Sequence, residues 1–275
     1  MQQFGIIGWP VAHSLSPVMH NAGFKAINYD ANYKLFPVEP ENLKSQIDQF
    51  RTAGVSGWNV TVPFKEDVIP FIDVLDPVAA ASQSVNTVLN VDGKLFGFST
   101  DGFGLQLAIE EAFGFEIKGK DVLFVGAGGA AQAAAVQFSQ AGCRSITVLN
   151  RTLSKAEKII ERVLSVNSDV LTFSGQLNDR PQNTSQISII VQCTSLELKP
   201  GRELEFDLSE FSPDCCCMDM IYNLETPFLK KAQAYGMRIA TGSDMLLYQG
   251  TKAFEIWTKQ AAPTEVMRRA LKEGK

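Results

Sequence analysis

Four short stretches carry side chains whose types and spacing suit chemistry. The first, VLFVGAGGAA, is an apolar run that ends in Gly126, Gly128 and Ala131 at the spacing G-x-G-x-x-A. Glycines there allow a tight turn and close approach of backbone to a diphosphate, and the following helix offers unpaired N–H groups and the positive end of its dipole. A glycine-rich turn of this kind can also serve packing alone, but strand and helix patterns flank it on both sides and it reads as a nucleotide site. The second stretch says which nucleotide. About 20 residues on, NAD sites place an acid on the ribose 2′-hydroxyl, whereas an arginine suits a 2′-phosphate. This chain has Asn150, Arg151, Thr152 and Lys155, with no acid until Glu157. That selects NADP; the alternative reading of Arg151 and Lys155 is as solvated helix-start residues.

The third stretch, GWPVAHSLSPVMHN, crowds His13, Ser14, Ser16, His20 and Asn21 around the start of a helix pattern. Ser16 before Pro17 fits an N-cap followed by proline at the first helical position. Capping leaves Ser14 without a task, and two hydroxyls beside a helix N-terminus can bind a carboxylate. The fourth, NVTVPFK, is strand-like, breaks at Pro63 and ends on Lys65. Taken alone, such a lysine is a solvated helix-start residue.

The elements that must position these groups alternate strand and helix patterns, as expected for an α/β protein with mostly parallel strands. FGIIGW, NYKLFPV and SGWNVTV read as strands, PVMHNAGFKAI and PENLKSQIDQFRTA as helices, and VLNVDGKLFGF as a hairpin turning at Asp92-Gly93. That hairpin closes a first domain near residue 100. A second series holds DVLFV, SITVLNR, the helix SKAEKIIERVLS, then DVLTF, ISIIVQC and CCCMDMIY, and the tail is helical in DMLLYQGTKAFEIWTKQ and PTEVMRRALKEG. The polar stretch 174–186 reads as a surface loop.

With 275 residues, 45% hydrophobic, the chain can bury a sizeable core and suits about two domains. A formal charge of −5 with scattered Lys and Arg gives no footprint for nucleic acid or an anionic membrane, so small molecules are the expected partners. No run approaches the ~20 apolar residues of a membrane span, and the N-terminal apolar run is too short for a signal peptide, which places the protein in the cytosol. Cys215, Cys216 and Cys217 lack CxxC spacing and read as small buried strand residues, and with two histidines no metal site is expected.

GWPVAHSLSPVMHN, NVTVPFK, SVNT, STDG, GAGGAA, NRT and the tail motif ML-x-x-Q together resemble the shikimate dehydrogenase family, in the family's order and over essentially the whole chain. The resemblance implies reversible NADP-linked oxidation of shikimate to 3-dehydroshikimate, a step toward chorismate and the aromatic amino acids, in a monomer or homodimer. It implies two α/β domains with a cleft between them. One is a substrate-binding domain with a mainly parallel sheet, residues 1–101 plus 242–275; the other is a Rossmann-type NADP-binding domain, residues 102–241. Ser14 and Ser16 would hold the substrate carboxylate, Thr61, Asn86, Tyr222 and Gln249 the rest of the ring, and Lys65 and Asp101 would flank the reacting hydroxyl as catalytic residues. Gly126, Ala127, Gly128, Gly129 and Ala130 would cradle the diphosphate, Asn150, Arg151, Thr152 and Lys155 the 2′-phosphate, with Met220 and Gly242 near the nicotinamide. Burial lowers the pKa of a lysine, while a neighbouring Asp101 favours its charged form, so Lys65 reads as either the base or a fixed cation.

The chain departs from the family's pattern at Ser99 and Gln192, where Asn is usual, and at Ser243 and Asp244, where Leu-Gly is common. The readings are therefore shikimate dehydrogenase, a relative acting on quinate or a similar polyhydroxy carboxylate, or an NADP(H)-binding sensor without turnover. The intact Lys65 and Asp101 speak against the last.

Overall fold

In the computed structural model, described for residues 1–274 except 182, 183, 200 and 223, the apolar runs become two six-stranded sheets. The chain divides into two compact units, Met1–Gly104 with Leu247–Lys275, and Leu105–Leu246.

The first sheet holds β1 (Gln2–Gly8), β2 (Ala31–Pro37), β3 (Gly57–Val60), β4 (Val74–Leu75), β5 (Thr87–Val91) and β6 (Lys94–Phe98), in the order β2-β1-β3-β5-β6-β4. β1 pairs in parallel with β2 and β3, and β4 with β6; the β5–β6 hairpin supplies the antiparallel pairings. Asp92 and Gly93 turn that hairpin with φ of 51° and 86°, the left-handed pair that a two-residue turn between right-twisted strands requires. Helices α1 (Ser16–Ala26), α2 (Leu43–Thr52), α3 (Pro77–Ser82) and α4 (Asp101–Phe113) follow their strands. Ile47 and Phe50 of α2 meet Trp58, Val60 and Leu95 of the sheet in one buried cluster.

The second sheet holds β7 (Asp121–Val125), β8 (Ser145–Leu149), β9 (Leu171–Gly175), β10 (Ile189–Gln192), β11 (Cys216–Asp219) and β12 (Arg238–Ala240). All its pairings are parallel, in the order β12-β11-β10-β7-β8-β9. This is the doubly wound Rossmann order, whose chain reverses between β7 and β10, the place where such sheets bind ligands. Strands covered on both faces must be apolar throughout, and β7, β8 and β10 are buried at every position. α5 (Gly129–Gln140), α6 (Leu153–Val166) and α7 (Pro227–Ala234) connect the strands. Ala156, Ile159, Ile160 and Val163 form the buried stripe of α6 at the helical period.

Cys215, Cys216 and Cys217 are buried free thiols around the start of β11, in line with their packing role. The polar stretch 174–186 differs in part from the loop expected, because Ser174 and Gly175 complete β9; its residues 182 and 183 lie outside the described residues. Of the tail helices α8 (Ser243–Thr258) and α9 (Thr264–Glu273), α9 packs against α1. In α8, Trp257 donates to the Val88 carbonyl oxygen at 2.9 Å, and only a glycine at 57 leaves room for its indole. No helix among the described residues is long and apolar enough to cross a membrane.

Candidate active site

Lys65 lies in the turn that follows β3, and it is not a solvated lysine. Its Nζ is 2.5 Å from Asp101 Oδ2, and the two side chains are only 15% and 6% exposed. Asp101 opens α4, where the helix N-terminus favours a carboxylate. Its other oxygen accepts from Asn86 Nδ2 at 2.8 Å. Asn86 immediately precedes β5, fixed through its Oδ1 by the Thr100 N–H at 2.7 Å, and its Nδ2 also faces Thr100 Oγ1 at 2.9 Å and Gln249 Oε1 at 3.3 Å. The first unit thus brings together four residues singled out in sequence, Lys65, Asn86, Asp101 and Gln249, from positions scattered over the chain.

Ser14 and Ser16 are also adjacent, but Ser16 does not act as the helix cap expected of it. α1 begins at Ser16, and it is the Ser14 hydroxyl that accepts from the Ser16 N–H, at 3.3 Å, while donating to Ser16 Oγ at 3.1 Å. The N-cap position falls on Leu15, which makes no side-chain capping bond, and Ser16 is the first helical residue rather than the cap. Thr61 follows β3, its N–H bonded to the Ile7 carbonyl oxygen at 2.9 Å.

Sequence reasoning missed the polar network behind these groups. Tyr33, 1% exposed, donates from its hydroxyl to Asn59 Oδ1 at 2.6 Å. Asn59 Nδ2 donates in turn to the Asn86 carbonyl oxygen at 3.1 Å and to Thr87 Oγ1 at 3.0 Å. Tyr33 is therefore linked through Asn59 and Asn86 to Asp101. The available signal was an Asn within an apolar β3, since a buried amide must find partners.

In the second unit, Gly126, Ala127, Gly128, Asn150, Arg151, Thr152 and Lys155 line one cavity of about 360 Å³, at the ends of β7, β8 and β10. Gly126 has φ of +110°, and a Cβ there would stand 2.9 Å from Thr194 Cγ2; at Gly128 a Cβ would meet open space. Gly129 and Ala130 begin α5, whose first turn has no side-chain cap. Arg151, Lys155 and Lys199 bring positive charge to the lining, and no carboxylate is among its described residues. An uncapped helix start, a glycine turn and three cations fit a dinucleotide with an extra phosphate.

Met220 and Gly242 meet beyond β11, where a side chain on Gly242 would collide with the Met220 carbonyl. Tyr222 belongs to this unit too, and burial pushes its phenol up. Nearby Asp219 is pushed up to about 6, chiefly by burial, and accepts from the Thr226 hydroxyl at 2.7 Å.

Three family models match: the shikimate dehydrogenase substrate binding domain over residues 6–88, shikimate / quinate 5-dehydrogenase over 107–199, and the shikimate 5′-dehydrogenase C-terminal domain over 242–272. A shikimate dehydrogenase (NADP(+)) of Desulfitobacterium hafniense is 40% identical over 98% of this chain and 97% of its own. A shikimate dehydrogenase solved in complex with NADP+ superposes with a TM-score of 0.91 at 36% identity, covering 100% of this chain and 96% of that one. The enzyme from Thermus thermophilus, solved with NADP(H) and shikimate, gives 0.87 at 32% identity, with full coverage of both chains. The two-unit α/β architecture, the paired Lys65 and Asp101, and these full-length likenesses agree: the chain belongs to the shikimate dehydrogenase family.

Proposed function

We propose that this chain interconverts shikimate and 3-dehydroshikimate with NADP, as a cytosolic monomer or homodimer that serves aromatic amino acid biosynthesis. The observation that carries the reading is the Lys65–Asp101 pair, 2.5 Å apart and largely withdrawn from water. An oxidation of a secondary alcohol needs a group within hydrogen-bond reach that takes the hydroxyl proton as the hydride leaves. In this reading Lys65 Nζ meets the reacting oxygen, and the proton passes to the Lys65–Asp101 pair working as a unit. Asn86, whose amide is fixed by Thr100, keeps Asp101 aimed at Lys65.

Ser14 and Ser16 bind the substrate carboxylate beside the start of α1, while Thr61, Asn86, Tyr222 and Gln249 orient the ring. Gly126 to Ala130 and the first turn of α5 would hold the diphosphate of NADP, Asn150 to Lys155 its 2′-phosphate, and Met220 and Gly242 its nicotinamide end. When bound, the nicotinamide supplies the hydride acceptor. Residues 1–101 with 242–275 serve as the substrate domain, and 102–241 as the cofactor domain.

The test is product identity. Incubation with shikimate and NADP should yield 3-dehydroshikimate and NADPH in equal amounts. Turnover of quinate but not shikimate would move the enzyme to the quinate reading, and tight NADPH binding without turnover of either would make it a sensor.

A further inference from the structure

Gln192, one of the positions where the chain departs from its family's pattern, ends β10 wholly buried, opposite the equally buried Asp219 of β11. Its Nε2 faces both carboxylate oxygens, at 3.4 and 3.3 Å, and its Oε1 accepts from the Thr194 N–H. Asp219 also accepts from the Ile221 N–H at 2.8 Å and the Thr226 hydroxyl at 2.7 Å. Thr194 stands against the glycine turn, its nitrogen 3.2 Å from where a Cβ of Gly126 would be. Cys193, Thr194, Ser195 and Leu196 line the same cavity as Gly126 and Gly128.

We propose that Asp219 and Gln192 are positioning residues for the nucleotide: an ionised Asp219 orients the Gln192 amide, which fixes Thr194 and with it the loop walling the cavity. The inference rests on the NADP reading above. A primary amide has one accepting and one donating side. The Thr194 N–H takes the accepting side, which leaves the NH2 for Asp219 and favours the ionised carboxylate, whose two oxygens both accept. Protonated, Asp219 carries an O–H that needs an acceptor. A neutral Asp219 no longer offers the Gln192 NH2 a charged acceptor, and its O–H competes with the Thr194 N–H for Gln192 Oε1, so the amide's hold on Thr194 weakens.

Burial raises Asp219 to about 6, and Glu197 adds to the rise, against the bonds from Ile221, Thr226 and Gln192. Glu197 is itself buried and accepts from the Leu204 and Phe228 N–H groups. The other titratable neighbour, the Cys193 thiol, is pushed up by burial and by Asp219. Asp219 is therefore ionised above about pH 6 and protonated below it.

Fluorescence titration of the full chain with NADPH and, separately, NADH from about pH 5 to about pH 8 tests the idea. Both dissociation constants should rise about five- to tenfold as the pH falls through this range, the loss expected for one ordered backbone hydrogen bond. NADH is needed because a phosphate monoester also titrates near pH 6, and an inflection seen with NADPH alone overturns the proposal. Gln192→Met fills the space without an amide, and should bind both nucleotides more weakly with no inflection; Asp219→Asn should lose the inflection too. Should Asp219→Asn fail to fold, the parent and Gln192→Met decide. Parent-like affinity and pH dependence in Gln192→Met overturn the proposal, as does tight parent binding that ignores pH. Failure of the parent to bind either nucleotide at any pH is a different result, and overturns the NADP reading along with the inference.

Discussion

Replacing Lys65 by Met keeps the apolar stem and removes the charge. The cost to folding follows from what Asp101 has left. Stripping the partner from a buried ion pair costs about 3 to 5 kcal/mol when nothing else compensates. Here the carboxylate retains the Asn86 amide at 2.8 Å and its place at the start of α4. A helix N-terminus is worth about 0.3 to 1 kcal/mol to an anion, and Lys65 is not fully buried, so a loss of about 2 to 3 kcal/mol is expected. That is tolerable within a typical stability of about 5 to 15 kcal/mol. Turnover should suffer more specifically: kcat falls by about a hundredfold or more, with little change in KM for shikimate, if Lys65 acts on the transition state. Urea unfolding and steady-state kinetics on the same preparation measure both. Asp101→Asn should also lower kcat, and the double variant should lose less than the sum of the two, because the residues form one bonded unit. A folded Lys65→Met enzyme with kcat within about threefold of the parent, under 1 kcal/mol of barrier, would remove Lys65 from the mechanism.

Arg151→Ala should raise KM for NADP about ten- to a hundredfold, the worth of charge-assisted contacts to a phosphate, while KM for NAD changes little; equal effects on both would displace Arg151 from the 2′-phosphate. Ser14→Ala with Ser16→Ala should raise KM for shikimate and leave NADPH affinity intact, at about 1 kcal/mol of stability for the lost Ser14–Ser16 hydrogen bonds. A lower Tm with unchanged KM would reduce both serines to structural roles. His20, packed at 4.5 Å against Tyr33, is lowered to about 3 by burial, from 6.5. The folded state must keep it neutral, so its contribution is fully present above about pH 6.5 and is lost toward pH 3, by up to about 1.4 kcal/mol per pH unit. His20→Phe should shift the acid unfolding midpoint to lower pH, as followed by circular dichroism; an unmoved midpoint refutes this.

Where a residue type has one dominant physical reason, its place was readable from sequence. The G-x-G-x-x-A run marks the switch point between β7 and β10 because only glycine tolerates φ of +110° against Thr194. Asp92-Gly93 marks the hairpin for the same kind of reason. The Lys65–Asp101 pair was legible only through the family's motifs, since no local pattern ties two residues 36 apart. The network behind the pair, Tyr33 to Asn59 to Asn86, was not seen, because alternation along a strand distinguishes inside from outside but does not say which buried polar groups find each other. α4 was also missed: no helix was assigned after the hairpin, although Asp101 stands at its N-terminus. At Ser16 the cap was expected one residue too late: Leu15 holds the N-cap position and Ser16 is already helical.

The most direct measurement is kcat/KM of the unmodified enzyme for the four pairings of shikimate or quinate with NADP or NAD. Shikimate with NADP should lead, by about tenfold or more over shikimate with NAD, as a single charge-assisted phosphate contact would give. Equal use of NAD, or a preference for quinate, would contradict it.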